Sequence, residues 1–345
     1  MNLLFELSRR SAVAMALSLS LLLSAPAAAL ASDGGGKTKI GGLLFSHWTM
    51  DLSKDAEEAN AFEVKRVYTT IKHSINDDLS MRVTTDVGAV KNSVEVSHRA
   101  DDIGADSLVH DVVAKDDTKM RLYLKYAYLE WKGFAPGMKL RFGAAGTPFV
   151  DDSSKFTGLR YISKALADRN KLMSTTDLGL HVMGKHLDGA LGWQLSAMNG
   201  EGYGSPEDSK GKAIQARVAY DAMKSTDGLD LPITAFIRQE VGEEEDKGAM
   251  LYGGALGFGM SYGRLWAEYV AKSLGDVNTE AISVTVQPRV GDLFALLVRY
   301  DLFDPNTGVD DDGTTTLIAG VEKSFAKKVS AAVTFEQEQD QADDD

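Results

Sequence analysis

The chain has 345 residues, with 37 Lys and Arg against 50 Asp and Glu, a formal net charge of −13, and no cysteine. The acidic balance argues against a nucleic-acid-binding protein, because such proteins carry a basic surface. The absence of cysteine excludes disulfides and thiolate metal sites. The length is sufficient for one large domain or two ordinary ones.

The first 31 residues have the three-part pattern of a secretory signal peptide. Arg9 and Arg10 precede a mostly apolar run over residues 11–24, and Ala-Leu-Ala at 29–31 provides a cleavage site between small residues. The apolar run is short for a transmembrane helix, which needs about 20 residues. The pattern therefore predicts export of the protein with removal of residues 1–31.

From residue 38 onward, apolar and polar side chains alternate with a period of two, as they do in β-strands. Over 119–132, for example, the alternation places Leu124, Tyr126 and Tyr128 on one face and Lys125 on the other. The segments that show this pattern are 38–50, 61–73, 77–89, 119–132, 138–147, 175–185, 189–199, 211–221, 230–240, 249–258, 261–272, 279–290, 292–302, 314–325 and 327–337.

The number of these candidate strands is odd, whereas bacterial antiparallel barrels have an even number. We therefore expect 14 or 16 strands and favour 16, with the additional strand hidden in 91–118. If the number is 14, the last candidate is the one to discard. The second candidate keeps its alternation only if there is a bulge near Lys65 and Arg66.

The connections between the candidate strands alternate between short turns and long polar loops. This asymmetry is typical of a transmembrane barrel, whose periplasmic turns are short and whose outer loops are longer. A soluble β-sandwich produces a similar alternation along each strand, so alternation alone does not separate the two folds. The signal peptide, the strand lengths and the loop asymmetry together favour an all-β, transmembrane antiparallel barrel.

Four stretches of the chain resemble Gram-negative outer-membrane porins of the phosphate-selective porin O/P-like family. They are FEVKRVYTTIKHSINDDLSMRVTTDVG (62–88), RLYLKYAYLEWKG (121–133), LRFGAAGTPFV (140–150) and YISKALADRNKLMSTTDLGL (161–180). The resemblance implies a 16-stranded barrel in contact with outer-membrane lipids, a homotrimer, and a third outer loop folded into the lumen. Such barrels typically end on an aromatic residue, whereas here Phe335 is followed by an acidic tail.

The segment 155–173 is the one long stretch after the N-terminus that has the pattern of a helix. On a 3.6-residue period, Leu159, Ile162 and Leu166 share an apolar face with Met173. The opposite face carries Arg160, Lys164 and Lys171. We expect this helix to lie in the third outer loop, with its apolar face on the inner barrel wall and its basic face toward the pore. A surface helix packed on the other loops is the alternative.

The sequence gives little support for an enzyme. Residues 259–263 match the G-x-S-x-G pattern of a nucleophile elbow, which requires a strand, a sharp turn and a helix. Here the match lies between two strand-like segments, so a hairpin is expected instead. We predict no catalytic residues, no cofactor and no metal ligands.

The sequence as a whole predicts a signal peptide at 1–31, a barrel over 32–337 and an acidic tail at 338–345. The expected function is passive diffusion of small hydrophilic solutes, with a mild preference for anions, across the outer membrane. A non-conducting outer-membrane barrel with an enzymatic or structural role is the alternative. The predicted pore-lining residues are Arg82, Arg121, Lys125, Lys139, Arg141, Arg160, Lys164 and Lys171.

Overall fold

The computed structural model describes residues 36–53, 60–89, 120–204, 210–241, 248–291, 294–326 and 328–341, together with the backbone of 12–21. Sixteen antiparallel strands within this part of the chain form one closed barrel, in which β1 pairs with both β2 and β16. The strands are β1 (Ala12–Leu21), β2 (Lys37–Asp51), β3 (Asn60–Ser74), β4 (Leu79–Ala89), β5 (Met120–Trp131), β6 (Met138–Gly146), β7 (Thr176–His186), β8 (Leu191–Met198), β9 (Lys212–Asp221), β10 (Pro232–Val241), β11 (Met250–Met260), β12 (Gly263–Leu274), β13 (Val277–Val290), β14 (Phe294–Asp304), β15 (Thr314–Ala326) and β16 (Val329–Asp340).

All fifteen candidate strands are present, with ends that differ from the predicted ones by a few residues. The last candidate is a true strand, β16, and it extends to Asp340, three residues into the predicted acidic tail. The sixteenth strand is β1, within the segment predicted to be a signal peptide. The segment 91–118, where a hidden strand was expected, lies outside the described residues.

The barrel has an apolar outer surface and a polar interior. On β13, Ile282, Val284 and Val286 are exposed on the outside, while Ser283 and Thr285 are buried on the inside. The same inversion relative to a soluble protein recurs around the barrel, with Phe62 and Phe142 among the most exposed side chains. Because a soluble sandwich buries its apolar faces, this distribution identifies the transmembrane barrel as the correct alternative. No helix in the described part of the chain is long and apolar enough to cross a membrane.

Two bulges adjust which side chains face the lumen. The predicted bulge in β3 is confirmed at Lys65, since Arg66 pairs with Phe45 while the next pair skips Lys65. A second bulge, in β5, leaves Lys125 without a cross-strand partner. Strict alternation placed Tyr126 and Tyr128 on the same face as Leu124, and this was wrong, because an extra residue shifts every later side chain to the other face.

The third of the long connections, residues 147–175 between β6 and β7, is folded into the barrel and is called the constriction loop. It contains α1 (Asp152–Thr157), a 3₁₀ turn (Leu159–Tyr161) and α2 (Leu166–Arg169). The prediction of one continuous helix was wrong. Gly158 has φ of 80°, in the left-handed region, and ends α1. Ala165 has ψ of 151°, so the chain is extended immediately before α2.

Candidate functional site

Side-chain contacts attach the constriction loop to four separate strands of the barrel wall. They are Arg217 Nε to Asp152 Oδ2 (2.6 Å), His47 Nε2 to the Tyr161 carbonyl (2.6 Å), Arg299 Nη1 to the Lys164 carbonyl (2.7 Å), and Arg169 Nη2 to Glu336 Oε1 (2.7 Å) and Glu338 Oε2 (2.9 Å). The wall residues belong to β9, β2, β14 and β16. Attachment at such separated strands means that the loop crosses the lumen and narrows it.

One flank of the constriction loop is sealed against β10–β13 by apolar packing. Leu166 is fully buried in this cluster, and Phe149 stacks on Phe236 with 4.3 Å between ring centroids. Phe156 packs against Trp266 at 5.3 Å. Burial of one such side chain stabilises the packed state by about 1.5–3 kcal/mol. The open part of the lumen therefore does not lie along this flank.

The other flank leaves an open space of about 430 Å³ between the loop and β2, β3 and β16, which we call the middle cavity. Its lining is Phe45, His47, Thr49, Lys65, Arg66, Arg160, Tyr161, Ile162, Ser163, Lys164, Arg169 and Glu336. Ile162 packs on the wall at the base of this space, together with Phe45 and Tyr161. The predicted wall contact of the apolar loop residues is thus present.

Two further cavities lie above and below the middle one. The outer cavity, of about 730 Å³, lies toward the long connections and includes Tyr203, Arg238 and Lys272 in its lining. The inner cavity, of about 500 Å³, lies toward the short turns and includes Arg289. Lys164 borders both the outer and the middle cavity, and Tyr161 borders both the middle and the inner one. The three cavities therefore follow one another along the lumen.

Cations outnumber carboxylates in the lining of the middle cavity. Its lining has five Lys and Arg side chains, namely Lys65, Arg66, Arg160, Lys164 and Arg169, against the single carboxylate of Glu336. Arg169 is paired with Glu336. Of the other four cations, three have a carboxylate partner: Lys65 with Glu63 (2.5 Å), Arg66 with Asp86 (2.6 Å) and Arg160 with Asp168 (2.7 Å). Lys164 has no ion-pair partner among the described residues and is exposed to the lumen.

Two groups of the constriction loop have shifted pKa values. Burial raises the pKa of the Tyr161 phenol, and the negative charge of Glu322 raises it further, so this group stays neutral at physiological pH. Burial alone would lower the pKa of Arg169, but the charges of Glu336 and Glu338 outweigh it and the pKa is raised. The loop therefore keeps a neutral Tyr161 and a charged Arg169.

The predicted pore residues lie in four different settings. Arg160, Lys164 and Lys171 line the middle or outer cavity, so the loop cations are brought together. Arg121 lies near the outer end of β5. Lys125 differs from the prediction, because only 3 % of its surface is exposed. Its ammonium donates to Thr175 Oγ1 at 2.8 Å and lies 4.5 Å from the Tyr203 ring.

The remaining predicted residues, Arg82, Lys139 and Arg141, lie on the wall nearer the short turns. Arg82 stacks on Tyr126 at 4.1 Å and Arg141 stacks on Tyr128 at 4.7 Å. Both rings face the lumen because of the bulge at Lys125. Stacking restrains the two guanidinium groups, and Arg141 and Lys139 also share the Glu130 carboxylate.

Sequence reasoning missed three cations of the middle cavity as site residues, Lys65, Arg66 and Arg169. The first two flank the bulge that the sequence predicts, and this was the available signal. Arg169 follows Leu166 by three residues and so shares its helix face, but it was assigned to neither face from the sequence. Arg169 pairs with two carboxylates of β16 that are 167 and 169 residues away in the chain, so the local sequence carries no signal for this contact.

These features define the class of fold, a porin-type transmembrane β-barrel with an inward-folded loop. No protein-family model matches the sequence, and no curated protein matches it. Among solved structures, the chain is similar to OprB of Pseudomonas putida in its high-pH structure, with 9 % identity, a TM-score of 0.52, and coverage of 95 % of this chain and 92 % of that one. It is also similar to Salmonella typhi OmpF in complex with Daunomycin, with 12 % identity, a TM-score of 0.50, and coverage of 95 % and 96 %. At these identities the likeness establishes the fold.

Proposed function

We propose that this protein is an outer-membrane porin through which small hydrophilic solutes diffuse passively, with a mild preference for anions. The observation that carries this function is the middle cavity, where a folded-in loop leaves an open, mostly cationic passage beside a charged wall. Selectivity in channels follows from pore width and from the charged side chains at the narrowest point. Four of the five lining cations are ion-paired, so Lys164, which has no such partner among the described residues, supplies the positive charge that favours anions there, although the whole chain is acidic.

Export with cleavage after Ala31, contact with outer-membrane lipids and assembly as a homotrimer belong to the same proposal. Such cleavage would remove β1, so the mature protein would keep the fifteen strands β2–β16. The signal-peptide pattern supports the first, and the apolar outer surface supports the second. Intact mass of the protein purified from outer membranes measures cleavage, and crosslinking in mild detergent measures the trimer. A mass that retains residues 1–31 would contradict the cleavage.

Planar-bilayer conductance of the refolded protein in a potassium chloride gradient tests the function. We expect discrete conductance steps and a reversal potential that is shifted from zero toward the equilibrium potential of chloride. Heat-modifiable migration on a gel first confirms that the barrel is folded. A folded barrel that gives neither conductance steps nor liposome swelling with small sugars would contradict the porin function and favour a non-conducting barrel.

The resemblance to phosphate-selective porins suggests a narrower specificity, which the same measurement separates from general anion preference. If the lumen holds a phosphate site, millimolar phosphate should reduce the chloride conductance in a saturable way. A conductance that changes only with total ionic strength would indicate general anion preference without a phosphate site.

A further inference from the structure

Arg169 has a position unlike that of any other cation of the constriction loop that the structure describes. Its guanidinium contacts Glu336 and Glu338 of β16, and it also donates to Ser163 Oγ at 3.3 Å within the loop. One side chain thus joins α2, the extended segment before it and the barrel wall. Arginine suits this role because its planar guanidinium holds several donors in a fixed arrangement.

The same contacts neutralise the two carboxylates of β16 where that strand borders the passage. Arg169 and Glu336 both line the middle cavity. The Glu336 and Glu338 side chains keep 32 % and 46 % of their surface exposed, so both remain within reach of a passing ion. Without Arg169, two uncompensated negative charges would face the lumen on β16.

We propose that Arg169 is a specificity-determining residue of the pore: it holds the constriction loop on β16 and masks the Glu336 and Glu338 carboxylates. The inference rests on the proposed porin function. It assigns size limit and charge preference to one side chain, so the two properties should change together when Arg169 is replaced. They should separate when the carboxylates are removed as well.

Single-channel recording of a matched set of variants tests this. Arg169→Gln should raise the conductance roughly twofold and move the reversal potential toward cations, since loop attachment and charge masking are both lost. Arg169→Lys keeps the charge but contacts both carboxylates less well, so the conductance should rise while the anion preference largely stays. Glu336→Gln with Glu338→Gln should increase the anion preference, because Arg169 is then unpaired.

The triple variant Arg169→Gln, Glu336→Gln, Glu338→Gln separates the two roles. It should keep the raised conductance of Arg169→Gln without the shift toward cations. Gln215→Leu is the matched control, because it removes an uncharged contact between the loop and β9, from Gln215 Nε2 to the Pro148 carbonyl (2.8 Å), at a site that does not line the middle cavity. This control should leave the reversal potential unchanged.

The outcomes separate the inference from the function it rests on. A folded wild-type protein without conductance would contradict the porin function. A conducting wild type whose conductance and reversal potential are both unchanged in Arg169→Gln would overturn the inference alone. If Arg169→Gln does not fold, as judged by heat-modifiable migration, the double glutamate variant still decides: no gain in anion preference would overturn the masking role.

Discussion

The two flanks of the constriction loop meet the barrel wall by opposite means. Toward β10–β13 the contact is apolar and close-packed, with Leu166, Phe149 and Trp266 excluded from water. Toward β2, β3 and β16 the contact consists mainly of a few charged and polar groups around an open cavity, with one small apolar cluster of Phe45, Tyr161 and Ile162. The comparison shows how one loop can be held firmly and still leave a passage: packing seals one flank, and the ion pairs hold the loop without filling the other.

The apolar flank should give the largest single-site effect on stability. Trp266 is 2 % exposed and packs against Phe156 of α1. Trp266→Ala should lower the free energy of unfolding by about 3–5 kcal/mol, because it removes a large buried ring and leaves a cavity. Urea unfolding in detergent measures this change. In bilayers we also expect noisier currents, since a loosened loop opens a second path.

A matched control uses an aromatic side chain on the outer surface. Phe62 is 87 % exposed, so Phe62→Ala removes no packing from the lumen. Its currents should be as quiet as those of the wild type. Equal noise in Trp266→Ala and Phe62→Ala would contradict the sealing role of the apolar flank.

The charged flank should respond in selectivity more than in stability. Arg160 and Lys164 line the middle cavity, and neutralising both with Arg160→Gln and Lys164→Gln removes two of its five cations. We expect the anion-to-cation permeability ratio to fall roughly threefold at low salt, and less at high salt where charges are screened. Reversal potentials at two ionic strengths measure this ratio.

The control for this pair is Lys155→Gln. Lys155 is a loop cation whose side chain is 72 % exposed and which lines none of the three cavities of the lumen. It should leave the permeability ratio unchanged. A wild-type preference for cations that Arg160→Gln and Lys164→Gln do not alter would contradict the assignment of these residues.

Sequence reasoning predicted the barrel well because strand identity depends on local alternation. Residues such as Ile282 and Ser283 alternate as neighbours in the chain, so the pattern is readable without tertiary information. The interior of the site was predicted less well. Tyr126 and Tyr128 enter the lumen only because Lys125 is bulged, and the bulge is defined by pairing with β4. The salt bridges of Arg169 depend on a strand far away in the chain, and no local period encodes them.

The pH dependence of the loop offers a smaller test. Burial raises the pKa of Tyr161 above the value of about 10 of a free phenol. As pH rises through about 10, the Tyr161 phenol ionises first in the unfolded chain. Its contribution to the free energy of unfolding is therefore complete below that pH and is lost as pH rises further toward the pKa of the folded state. Between pH 9 and about 11, the unfolding free energy of the wild type should therefore fall more steeply than that of Tyr161→Phe. Parallel urea titrations measure the difference, and identical slopes would contradict a buried, neutral Tyr161.

Among the cations predicted to line the pore, Lys125 should affect selectivity less than Lys164 does, although the two formal charges are equal. Lys125 is buried behind Tyr203 and Thr175, whereas Lys164 borders both the outer and the middle cavity. Lys125→Met should therefore shift the reversal potential much less than Lys164→Gln does at the same salt concentration. Equal shifts would mean that total lumen charge, rather than exposure at the passage, determines anion preference. Unequal shifts would place selectivity at the open flank of the loop, where the chain keeps its cations in contact with the solute path.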